Sequence, residues 1–277
     1  MAERSNVEPC EDVRIGAVAY LNARPLTFSL GRLAPGAQIV VDLPSRLADA
    51  LAVGQLDVAL VPSIEYFRSG GQRIVSDACV ACDGPVLSVK LYGRVPVEQI
   101  RTLALDEGSR TSAALTRILL EERFGLTPEL SRLPIGASAE DSTADAVMLI
   151  GDRGMRPPER RLEFVWDLGE EWSRWTGLPF VFAMWIARDG VELHGLERAL
   201  TAARDDGVAR LDEIARLEAP ALGISQPECL AYLRDNLDFT LGDRQRRGLA
   251  RFAELAGRHG LAPAGVELVF SDQEAAR

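Results

Sequence analysis

Four consecutive hydrogen-bonding residues, Ser109, Arg110, Thr111 and Ser112, stand where an apolar run meets an amphipathic one. TLALD predicts a buried strand, EGSRTS a tight turn rich in donors, and AALTRILLEE a helix with Leu115, Ile118 and Leu119 on one face. A strand that delivers such residues to a helix N-terminus makes an anion pocket. The first N–H groups of the helix have no intrahelical partner, and the positive end of its dipole points the same way. Arg110 adds a forked donor that matches a carboxylate. The same residues are also explained if Ser109 or Thr111 serves only as a helix cap.

Further turns at the ends of apolar runs carry polar groups. In YLNARP, Asn22 offers donors and an acceptor and Arg24 offers charge, although Asn also favours turns in its own right. In VPSIEY, Ser63 could donate to a ligand or cap a short helix. In CDGPVLSVK, the Asp83-Gly84-Pro85 turn precedes Ser88 and Lys90, which share one side of an extended segment because strand side chains alternate. In IGDRG, Asp152 could orient a ligand hydroxyl or pair with Arg153. WTGLPF reads as aromatic core. His194 and His259 fall in helical segments away from these turns and receive no role. No Ser-His-Asp set, metal-ligand cluster, P-loop or dinucleotide fingerprint is present, so hydride transfer, phosphoryl transfer and metal hydrolysis are disfavoured and no cofactor or metal is expected.

The elements that position these residues alternate in the first half of the chain. Residues 13–20, 38–44 and 56–62 read as strands, the last nearly all apolar as a parallel strand buried on both faces would be. A helix capped by Ser45 separates the second from the third, which implies right-handed crossover units. Strands follow at 85–93, 102–106, 145–151, 162–169 and 180–188. Helices then dominate, at 193–204, 208–217, 225–236 and 243–258, with Ser225 and Glu228 spaced as a capping box. The extended segments 85–93 and 180–188 predict two crossings that frame an inserted lobe at 94–188, with 13–93 and 189–277 forming the other lobe. Ligands in such layouts sit between the lobes, near strand C-termini and helix N-termini.

The 277 residues carry a net charge of −10, which disfavours nucleic acid and anionic membrane as partners. No stretch has the apolar length of a membrane span, and the N-terminus lacks the apolar core of a signal peptide, so a cytoplasmic protein is expected. Lys90 is the sole lysine among 31 basic residues, a bias that reflects composition as much as function. Of Cys10, Cys79, Cys82 and Cys229, the CxxC pair has no second pair or nearby His, and small core cysteines are the expected reading.

Taken in order, VRIGAVAYLNARPL, LPSRLADALAVGQLDVALVPSIEYFR, CDGPVLSVKLYG, LALDEGSRTSAALTRILL, DAVMLIGDRG and DLGEEWSRWTGLPFVFAMWIAR resemble the chorismate dehydratases of the futalosine route to menaquinone. The resemblance covers about residues 13–188. It implies a two-lobed α/β protein of the type II periplasmic-binding-protein-like fold with two crossover segments and a helical C-terminal part. It also implies loss of water from chorismate to give 3-[(1-carboxyvinyl)oxy]benzoate. On matching motifs, Asn22 and Ser88 would be the polar groups at the reacting centre, and the substrate's own enolpyruvyl carboxylate would be the base. Ser109, Arg110, Thr111 and Ser112 would hold a carboxylate, with Ser63, Gly84 and Asp152 as further cleft residues. Two readings compete. A dihydroxynaphthoate synthase of the same pathway would need a catalytic His near the cleft. A cytosolic sensor for an aromatic carboxylate would bind without turnover.

Overall fold

Unbroken apolar runs suit strands that are covered on both faces, and such runs build the centre of the first sheet. In the computed structural model, which describes residues 13–70, 72–156, 158–159 and 161–270, β1 (Arg14–Val18) pairs in parallel with β2 (Gln38–Asp42) and β3 (Val58–Pro62). With β4 (Arg73–Cys82), β10 (Phe180–Ala187) and β11 (Asp238–Thr240) these form a six-stranded sheet in the order β11-β4-β10-β3-β1-β2. The second sheet holds β5 (Val89–Gly93), β6 (Thr102–Asp106), β7 (Glu129–Leu133), β8 (Ala146–Ile150) and β9 (Phe164–Asp167) in the order β7-β6-β8-β5-β9. Helices cover both sheets, and the chain after β10 is mainly helical: Leu196–Ala209, Leu211–Leu222, Gln226–Asp235 and Asp243–Arg258. The architecture is the two-lobed α/β one.

The lobe boundaries differ from those read in the sequence. β5 pairs antiparallel with β8 and β9 and so belongs to the smaller sheet. β10 pairs antiparallel with β3 and β4 and runs through the middle of the larger one, buried at every position. The crossings are therefore 83–88 and 168–179, not the long extended segments themselves. An apolar strand and an apolar crossing look alike in sequence; the partners that take up their backbone N–H and C=O groups separate them. Cys79 and Cys82 lie within β4, and with Cys229 they are free thiols buried in the core. Burial pushes all three thiols up, which suits packing residues. Cys10 lies outside the described residues.

One carboxylate ties the two crossings together. Asp167 caps the helix Leu168–Thr176 by accepting from Gly169 and Glu170 N–H at 3.0 and 3.1 Å. It also accepts from Val86 N–H, Leu87 N–H and Lys90 Nζ at 2.9, 2.7 and 2.8 Å. Lys90 is thereby committed to Asp167. Leu87 is held at φ 59, a left-handed conformation that a bulky residue seldom adopts without such support.

At the other end of the large sheet, Asp57 accepts from Arg14 Nε and Nη2 at 2.9 and 2.8 Å and from Arg188 Nη2 at 2.9 Å. The Arg14 bonds, aided by Arg188 and opposed by burial, hold this carboxyl well below the usual range. A depressed folded-state pKa stabilises the fold above the unfolded value, about 3.9, and that contribution is lost as pH falls through the folded value. Wild-type stability is therefore expected to drop more steeply than that of Asp57→Asn as pH falls below about 4. Parallel acid-unfolding curves for the two proteins would remove Asp57 from the pH dependence.

Candidate functional site

A cavity lies between the lobes. It collects the C-terminal ends of β1, β3 and β8 through Val18, Leu60, Pro62 and Ile150, together with Val80, Val89, Phe182 and Ala183. Two helices start at its wall. Pro44 opens the helix Pro44–Ala52, and Ser109 caps the helix Arg110–Phe124. The polar lining comes from Tyr20, Asn22, Ser109 and Ser112. Among the described residues, no Asp, Glu, His, Lys or Arg lines it.

Helical periodicity sorts the donor-rich turn. Ser109 and Ser112, three residues apart, share a face and both line the cavity. Ser109 Oγ accepts from Ser112 N–H at 3.2 Å, and the two hydroxyls lie 3.0 Å apart. That pair consumes one of its two hydroxyl hydrogens and leaves the other for a ligand. Arg110 and Thr111 do not line the cavity. The Arg110 guanidinium donates to Asp49 at 2.7 and 2.8 Å and to Glu65 at 3.0 Å, which fastens the small lobe to the large one. Thr111 is wholly buried, and its Oγ1 accepts from Ile64 N–H at 3.2 Å across the same junction. The expected grip of Arg110 on a ligand carboxylate is thus corrected: two protein carboxylates already occupy its fork.

Asn22 sits in a 3-10 turn, Leu21–Ala23, directly after β1, half-buried in the cavity wall. Among the described residues no hydrogen bond engages its side-chain amide. Ser88 is 1% exposed and stands beside Val89 rather than in the lining itself. Tyr232, from the helix Gln226–Asp235, donates to Ser88 Oγ at 2.8 Å. Burial pushes the Tyr232 phenol far up, so it stays protonated as a donor. Because that bond uses a lone pair of Ser88, the serine keeps its own hydrogen to give.

The remaining expected cleft residues lie outside the lining. Ser63 is wholly buried and donates to Val181 O at 2.8 Å. Gly84, at φ 124, forms the turn after β4. Asp152 stands beside the Leu21 N–H, and burial raises its carboxyl above the usual range. Sequence reasoning gave no role to Tyr20 or Tyr232, nor to the pair Asp106–Arg153 at 2.7 Å. Asp106 also accepts from Gly108 N–H at 2.8 Å and Ile150 N–H at 3.2 Å, which shapes both small-lobe turns at the cavity. Its position at the end of TLALD, where a charge follows a buried strand, was the available signal.

Arg110→Ala is expected to change KM by less than about threefold and to cost less than about 1 kcal/mol, as a partly exposed ion pair should. A KM rise of tenfold or more would put the guanidinium back on the ligand.

Two α/β lobes around a cavity at strand C-termini define the periplasmic-binding-protein-like class. AF1704 from Archaeoglobus fulgidus shares this fold at TM-score 0.73 and 15% identity, covering 90% of this chain and 98% of that one. The periplasmic aliphatic sulphonate binding protein SsuA from Escherichia coli does so at TM-score 0.58 and 16% identity, covering 92% and 89%. At sequence level, a family model described as menaquinone biosynthesis matches residues 13–258. The chain is 34% identical over 261 residues to the chorismate dehydratase of Thermus thermophilus, covering 88% of this chain and 94% of that one. It is 28% identical over 174 residues to the chorismate dehydratase of Campylobacter jejuni, covering 61% and 64%. This chain belongs to the chorismate dehydratase family of menaquinone biosynthesis.

Proposed function

We propose that this protein converts chorismate to 3-[(1-carboxyvinyl)oxy]benzoate and water, as a cytoplasmic hydro-lyase without a cofactor. The observation that carries the reading is the 34% identity over 88% of the chain to a chorismate dehydratase, combined with a cavity whose described lining contains no carboxylate or imidazole. A reaction that supplies its own base suits such a site. The enolpyruvyl carboxylate of the substrate takes the proton from the ring carbon that bears the ether. The electron pair released spreads through the diene onto the ring carboxylate, then returns as hydroxide leaves the neighbouring carbon. Hydroxide and the proton combine as water, and the ring becomes aromatic.

The protein's part is to hold the ring and meet charge as it develops. Asn22 offers two N–H donors and a carbonyl at the cavity wall. Ser88, with Tyr232 behind it, donates a hydrogen bond to the departing hydroxyl and keeps its proton. Ser109 and Ser112, at the positive end of a 15-residue helix, receive a substrate carboxylate. Apolar walls from Leu60, Val80 and Phe182 exclude water and strengthen each of these bonds. Behind this wall Thr111 holds the lobes together, its Oγ1 accepting from Ile64 N–H and standing 3.4 Å from Ser63 Oγ.

The test mixes purified protein with chorismate and follows its loss and the appearance of the benzoate by chromatography. Turnover without added metal or cofactor is expected. Binding without turnover would favour a sensor and end the dehydratase reading.

A further inference from the structure

Tyr20 reaches from the large lobe into the small one. It follows β1 by two residues, and its ring lies over Gly151, where a Cβ would stand 2.9 Å from Cδ1 and 3.0 Å from Cε1 of the tyrosine. Its hydroxyl lies beside Gly108, where a Cβ would come within 2.9 Å of Oη. The Asp106–Arg153 pair forms the end of this slot. Two glycines, on two different loops of the small lobe, thus leave room for one ring of the large lobe. Gly151 has φ 62 and suits glycine in any case; Gly108 has no left-handed φ, so only crowding explains its missing side chain. That crowding comes from Tyr20 Oη, Asp106 Oδ1 at 3.0 Å and Ile150 Cδ1 at 3.2 Å.

The turn that follows Tyr20 packs against the short helix Gly151–Gly154 of the small lobe. Asn22 comes next and lines the cavity. We propose that Tyr20 is a positioning residue: its ring, seated between Gly108 and Gly151, joins the lobes beside the cavity and sets the Asn22 amide against the bound substrate. Its catalytic consequence rests on the dehydratase reading; the seat itself does not. Burial beside Asp106 pushes the phenol up to about 12, so Tyr20 enters the slot neutral and can donate.

The test is a cycle of Gly108→Ala, Tyr20→Phe and the double variant. A methyl at Gly108 meets a tyrosine hydroxyl that cannot retreat sideways because the ring is already against Gly151. Gly108→Ala is expected to lower kcat about ten- to a hundredfold, the scale of overpacking, with KM within about threefold of wild type. Tyr20→Phe keeps the ring seated and should lose less than about tenfold. The double variant, free of the hydroxyl, should recover most of the kcat lost in Gly108→Ala. Losses that simply multiply in the double variant would overturn the proposal, as would an unaffected Gly108→Ala.

Hydrogen exchange of the ligand-free proteins gives a readout that needs no chorismate. Amides at 20–23 and 106–112 should exchange faster in Gly108→Ala and return towards wild type in the double variant. If that pattern holds while wild type fails to consume chorismate, the dehydratase reading falls and the seat survives. If wild type turns over and the exchange shows no rescue, the seat falls and the reading survives. Should Gly108→Ala not fold, Tyr20→Ala replaces it: exchange and kcat must then depart from wild type more than in Tyr20→Phe, and equality of the two variants would sink the idea.

Discussion

Asn22→Ala is expected to reduce kcat for chorismate about ten- to a hundredfold, with the fold intact. The argument rests on what the amide lacks. It lines the cavity and no described residue takes up its hydrogen bonds, so its donors are available to a ligand at no cost in protein contacts. In a cavity without an ionised side chain, a neutral donor aimed at developing charge counts for more than in water. Removing one such donor typically costs about 2.7–4 kcal/mol at the upper end, and about 1.4 kcal/mol for each tenfold loss. Ser88→Ala should cause a loss of similar size, and it would also leave the Tyr232 hydroxyl buried without its acceptor. The measurement is initial rate against chorismate concentration, with circular dichroism to confirm folding. A wild-type kcat in Asn22→Ala would take this amide out of the mechanism. Asn22→Asp sharpens the test, since a carboxylate facing a dianionic substrate should raise KM where alanine mainly lowers kcat.

Trp172→Ala should produce the largest loss of stability, about 3–5 kcal/mol as for other buried aromatics. Trp172 is fully buried in the crossing helix Leu168–Thr176. Its ring meets Phe180 edge-on at 5.1 Å, Trp175 at 6.0 Å and Phe252 at 6.1 Å, and its Nε1–H donates to Pro179 O at 3.1 Å. Truncation would empty the space between the crossing and the helix Asp243–Arg258 and leave the Pro179 carbonyl without that partner. For a domain whose net stability is about 5–15 kcal/mol, such a loss consumes a large share. Denaturant unfolding gives the measurement. Phe252→Ala, alone and combined with Trp172→Ala, should show a coupling of about 0.5–3 kcal/mol, since both rings face one space. A loss below about 1 kcal/mol for Trp172→Ala would mean that the cluster does not anchor the crossing.

These two residues show how unevenly function and packing can be read from a chain. WTGLPF announced aromatic core by composition, and Trp172, Trp175 and Phe180 do pack together there. YLN announced only a turn with a polar group. Nothing local says that the tyrosine two positions before Asn22 crosses to the other lobe, because its seat is built from Gly108 and Gly151, which lie far along the chain.

Strand–helix alternation, the capping box at Ser225 and Glu228, and the helix begun at Ser109 were all local matters. Periodicity and short-range hydrogen bonding set them, and the sequence by itself determined them. The same local information placed Ser109, Arg110, Thr111 and Ser112 at a helix start, but not the direction in which each points. A helix turns about 100° per residue, so four neighbours cannot all face one way, and only the packing of the helix between two lobes decides which face meets the cavity. It turned Ser109 and Ser112 inward and gave Arg110 to Asp49 and Glu65. Strand pairing likewise decided that β5 and β10 belong to different sheets, because ladder hydrogen bonds join residues distant in sequence whose own composition is equally apolar.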